Sequence, residues 1–199
     1  MSDLERLRYD AWTRQLERMR AMQYAYHRKF FGLLLVSTLV AGVALAWGTV
    51  FSLIAVCFGL VTTGVTAAFL LHFCNFARTH AQALEGQINR LLQQRTLIAS
   101  ELEADYFYPP QSPVLDVSGP WPWRFFDFYT RHFCGVWAMM TGWALWQLWQ
   151  HLMPQPFLIL MLAWGAWAGV NVAYVQTWFR GAAERRMAER LKANLGQPL

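Results

Sequence analysis

The chain has 199 residues, 56% of them apolar and 16% aromatic against 15% charged, with a formal net charge of +5. An average soluble domain carries about 25% charged residues, whereas here no Lys, Arg, Asp or Glu occurs from 30 to 77 or from 132 to 179, two blocks of 48 residues. Soluble nucleic-acid enzymes, secreted disulfide scaffolds and disordered regulators are excluded, and the pattern reads as an all-α integral membrane protein.

Residues 1–29 come first. Tyr9, Trp12, Leu16, Met19, Tyr26 and Phe30 recur at spacings of three and four, with polar Gln23 between, which is one face of a helix. The other side carries Arg6, Arg8, Arg14, Arg18 and Arg20 mixed with Glu5, Asp10 and Glu17, which suits anionic lipid headgroups or a partner helix and gives no support to nucleic-acid binding. Seven basic side chains and no apolar run precede residue 30, so the segment reads as the cytoplasmic flank of an uncleaved signal anchor.

The block 30–77 is too long for one crossing of a hydrocarbon core about 30 Å thick and fits two, near 30–48 and 53–77, joined by a turn at Trp47-Gly48-Thr49-Val50-Phe51-Ser52. Thr62, Thr63, Thr66 and Asn75 are the polar residues of its second span. The segment 78–105 repeats the amphipathic spacing through Leu84, Ile88, Leu91, Ile98 and Leu102, with Arg95 breaking the inner face, and reads as a cytoplasmic coiled-coil helix. In 106–131, five of the eight prolines fall between 109 and 122, and Trp121 and Trp123 lead an aromatic run. This is a linker followed by an interfacial helix.

The second block gives spans near 132–150 and 157–179 around a turn carrying Pro154 and Pro156. Trp143, Trp146 and Trp149 form an aromatic belt toward its turn, Gly165 and Gly169 make a GxxxG packing motif, and Asn171 and Gln176 are polar residues of the fourth span. The tail 180–199 is amphipathic. An offset of 103 residues lays Tyr26, Arg28, Phe30 and Gly32 over Tyr129, Arg131, Phe133 and Gly135 and superimposes the two turns. Either a parallel duplication or any pair of hairpins with basic ends explains the match.

Orientation follows from basic residues being retained in the cytoplasm. Arg28, Lys29, Arg78, Arg131 and Arg180 flank the four spans on one side, so both termini are expected in the cytoplasm of a multi-pass inner (plasma) membrane protein, with these residues at the lipid interface. Three cysteines inside spans imply no disulfide framework. No nucleophile triad, metal-ligand set, phosphate loop or carboxylate pair can be assembled, so neither enzyme nor cofactor nor metal is expected.

The function expected is that of a non-enzymatic oligomeric membrane scaffold whose cytoplasmic helices self-associate and recruit a protein partner. Leu84, Ile88, Leu91, Arg95, Ile98, Leu102, Gly165 and Gly169 are its candidate association residues. The alternative is an oligomeric channel lined by Thr62, Thr63, Thr66, Asn75, Asn171 and Gln176. A haem or quinone redox enzyme, or a lipid-modifying one, is the third reading.

Overall fold

The computed structural model describes residues 2–99, 102–103, 125–179, 189–190 and 193. All regular structure among them is helical: α1 (Asp3–Trp47), α2 (Val50–Leu92), α3 (Phe125–His151) and α4 (Pro154–Phe179). Three of these, α1, α2 and α4, are long and apolar enough to cross a membrane. In α3 the stretch after His132 holds no formal charge, but tryptophans, glutamines and histidines dilute its apolar content. The linker 106–124, with Trp121 and Trp123, and the tail from Arg180 lie outside the described residues except at 189–190 and 193, which are helical.

α1 is one unbroken helix of 45 residues, about 68 Å long at 1.5 Å per residue. The amphipathic segment 1–29 and the apolar stretch after it are thus a single rod, because nothing between Tyr26 and Phe30 interrupts helical hydrogen bonding. Ser2 starts it with a reciprocal cap: its hydroxyl accepts from Glu5 N–H at 3.3 Å, and its own N–H donates to the Glu5 carboxylate at 2.6 Å. That backbone hydrogen bond holds the Glu5 carboxyl below its usual range.

The first turn needs only Gly48 and Thr49. Gly48 adopts the left-handed conformation (φ 65°) and returns its N–H to Ala44 O, and Thr49 caps α2 through Ser52 N–H at 3.2 Å. α2 then runs back along α1. The second turn is equally short, Leu152 and Met153, with Pro154 opening α4 where a missing N–H costs nothing.

α2 is the hub. Phe30, Leu34 and Ala41 of α1, Leu53, Val56, Cys57, Leu60 and Leu71 of α2, and Trp137, Ala144 and Leu148 of α3 form one buried cluster. Trp137 Nε1 donates to Thr38 Oγ1 at 2.8 Å, tying α3 to α1, and Trp164 Nε1 donates to Cys57 O at 3.0 Å, tying α4 to α2. Each such bond is worth about 0.5–2 kcal/mol inside a membrane. α3 and α4 diverge after their turn, each resting on α2 instead of on the other. The 103-residue offset nevertheless carries packing faces: Phe30, Leu34 and Ala41 correspond to Phe133, Trp137 and Ala144, and both sets turn toward α2.

Candidate association site

Beyond the apolar cluster, the first half of α1 and the last third of α2 continue as an antiparallel pair. Leu16 and Met19 interlock with Ala81, Leu84 and Ile88, and Tyr9, Trp12, Met22, Phe76 and Leu97 pack around them. Two polar groups sit inside this seam, Gln23 and Glu85, each only 3% exposed. A buried carboxylate is tolerated only when paired, and Arg20 on α1 donates to Glu85 across the seam. The sequence placed Arg20 on the outer charged side; the structure turns it inward along the flank of the seam. Glu85 was not singled out, whereas Gln23 was read as the polar residue interrupting the apolar face, which is the signal that marks an inner polar position.

α2 stops at Leu92, short of the continuous helix to 105 expected from the spacing. Gln93 takes the left-handed conformation (φ 52°) and its N–H bonds back to the last turn. The Asn89 amide then holds the reversed chain. Its Oδ1 accepts from Thr96 N–H at 3.1 Å and Leu97 N–H at 2.8 Å, and its Nδ2 donates to Leu97 O at 2.7 Å. Leu97 thereby joins the seam, and Glu103 accepts from Gln23 Nε2 at 3.1 Å. Neither Gly nor Pro announces this stop, since a side chain makes it, and a periodicity search has no means to see it.

The expected association residues therefore separate. Leu84 and Ile88 are sealed within the chain, Leu91 is half-buried, and Arg95, Ile98 and Leu102 are exposed beyond the helix end. Gly165 and Gly169 are exposed on α4, and a methyl group added to either would meet open space, so the GxxxG motif is not used inside the chain.

Several polar residues of α2 and α4 bond within their own helices. Thr62 and Thr66 are exposed and donate to Phe58 O and Thr62 O of their own helix, both at 3.0 Å, and Asn171 donates to Trp167 O at 2.8 Å. Asn75 is buried beside Arg78 at 3.5 Å, and Gln176 is exposed. Among the described residues a cavity of about 130 Å³ lies between α1 and α2 and another of about 50 Å³ among α1, α2 and α3. They share no lining residue, and of the polar set only Thr63 lines one.

At the charged end of the apolar stretch, Arg28 and Lys29 are exposed, with the Lys29 ammonium 5.4 Å from the Tyr26 ring centre, and Arg78 and Arg131 are half-buried. Tyr26 stacks on Phe73 at 5.0 Å. His27 lies here, and burial, reinforced by the Arg78 charge, pushes its pKa down to about 4. The folded state thus binds fewer protons than the unfolded state between pH 6.5 and 4. Stability is expected to be full above pH 6.5 and to fall by about 2 kcal/mol, after solvent screening, on acidification to pH 4. Thermal melting in detergent checks this, and His27→Gln is expected to flatten the pH profile over that window. Among the described residues no group of His, Cys, Asp and Glu is placed to hold a metal ion.

Comparison of the chain with family models, with curated proteins and with solved structures finds no match in any of the three. The fold itself defines the class: an all-helical protein with three helices of membrane-crossing length and apolarity. Its function is argued from its own geometry.

Proposed function

We propose that this is a non-enzymatic, oligomeric subunit of the inner (plasma) membrane, crossing it four times with both termini in the cytoplasm. Its cytoplasmic helices self-associate and recruit a protein partner. The observation that carries this reading is the arm: α1 and α2 run on from the apolar bundle as a pair locked by its own seam and by Arg20–Glu85. A rigid arm is suited to presenting surface, and among the described residues beyond α2 Ile98 and Leu102 present apolar side chains, at 39% and 52% exposed. The fourth crossing is supported by the absence of formal charge from His132 to His151 and by Ala144 and Leu148 facing α2. Basic residues at one end of every crossing support the orientation, and Arg28 and Lys29 lie where anionic headgroups would meet them.

Particle mass of the full-length protein in mild detergent, read by light scattering and a crosslinking ladder, tests the association. Ile98→Glu combined with Leu102→Glu is expected to shift oligomers to monomers while leaving helix content unchanged. An unaltered ladder rejects these residues as the association surface. A channel is the weaker reading, because the Thr62, Thr66 and Asn171 groups are satisfied within their own helices. Stepwise conductance in planar bilayers that changes on Thr66→Ala or Asn171→Ala would favour it instead.

A further inference from the structure

We propose that the outer face of the α1 arm pairs antiparallel with the same face of a second copy standing in an apposed bilayer, so that the protein tethers two membrane surfaces. This rests on the reading above that residues 1–29 stand outside the membrane. Asp3, Leu7, Arg14, Glu17, Tyr24 and Arg28 recur at helical spacing, are all exposed, and lie on the side of α1 away from the Leu16–Met19–Gln23 seam. Among the described residues the side chains of Asp3, Arg14, Glu17 and Arg28 take part in no hydrogen bond or ion pair, and Tyr24 is 61% exposed although its hydroxyl lies 3.5 Å from Glu103.

The order of charge along this face decides how it can meet a copy of itself. Laid antiparallel about a midpoint between Gln15 and Leu16, Asp3 faces Arg28, Leu7 faces Tyr24 and Arg14 faces Glu17, each contact made twice by the two-fold axis. Asp10 then faces the small Ala21. Laid parallel and in register, each of these charges faces itself, and like charges directly opposed repel. Two arms rising from one bilayer are parallel, so the complementary arrangement requires two bilayers. The arm from Asp3 to Lys29 is about 40 Å long, which sets the gap that fully overlapped arms would bridge. Exposed ion pairs are individually weak, and many copies on each surface supply the avidity.

The test uses full-length protein in phosphatidylcholine vesicles with outward-facing arms, orientation being verified by protease access, and clustering followed by light scattering. Wild-type vesicles are expected to cluster at low salt and to separate at high salt. Arg14→Glu and Glu17→Arg are each expected to reduce clustering by about tenfold, and the double variant R14E/E17R to recover it to within about twofold. Vesicles bearing R14E mixed with vesicles bearing E17R are expected to cluster about as well as wild type, although each alone clusters about tenfold less. Absence of wild-type clustering, failure of the charge swap to restore it, or equal clustering with protein-free phosphatidylglycerol vesicles overturns the proposal. Particle mass in detergent reads association within one bilayer separately, so loss of tethering with unchanged mass leaves the scaffold reading standing.

Discussion

Leu84→Ala is expected to destabilise the arm by about 2–5 kcal/mol, the range for removing a fully buried leucine side chain from a packed site. Leu84 is 1% exposed and touches the seam formed by Leu16, Met19, Ala81 and Ile88. That seam is distinct from the larger cluster around Phe30, Leu53, Leu71 and Trp137. The loss should therefore be local. Amide hydrogen exchange at residues 9–19 and 81–92 is expected to speed up by about one and a half to three and a half orders of magnitude, given about 1.4 kcal/mol per tenfold, while exchange near Leu34 and Leu60 stays slow. Uniform acceleration over the whole chain would show instead that arm and bundle unfold as one unit.

The second large effect concerns Arg20 and Glu85, and it is asymmetric. Arg20→Ala takes the Arg20 cation away from a carboxylate whose side chain is 4% exposed, whereas Glu85→Gln leaves an arginine whose side chain is 36% exposed and still reaches water. Removing one partner of a buried pair costs about 3–5 kcal/mol when the remaining charge is fully buried. Arg20→Ala is accordingly expected to cost about 2–4 kcal/mol and Glu85→Gln about 1 kcal/mol, with a marked coupling in the double-mutant cycle. Equal costs for the two single variants would mean that water reaches Glu85 once Arg20 is gone. The pair is thus better viewed as fixing which residue of α1 meets which residue of α2 than as a source of net stability, because two apolar residues could fill the same space.

Much of the architecture was legible from where charge is absent. The turn at Gly48 was within reach because only a residue tolerant of positive φ can reverse a helix in two residues, whereas Pro154, expected inside a turn with the span starting near 157, instead opens α4. The candidate site was legible in part. The spacing of Leu84 and Ile88 marked one helix face, which is buried here, but spacing carries no information on whether the partner face comes from another copy or from the same chain. Here Leu16 and Met19, already held close by the hairpin, fill it first, because a contact made within one chain loses less freedom on forming than one made between two molecules. Ile98 and Leu102 continued the same repeat on paper, yet Asn89 captures the backbone at Thr96 and Leu97 and places them off the helix.

Sequence by itself determined the helical class, the apolar lengths, the two short turns and the one-sided distribution of charge, since each follows from the content of a contiguous stretch. The tertiary structure alone decided that α1 is one rod from Asp3 to Trp47, that α2 is shared by its three neighbours, that Arg20 turns inward to Glu85, and that Gly165 and Gly169 face away from the chain. Those outcomes depend on which surfaces compete for the same partner. That competition is settled by packing between residues far apart in the chain.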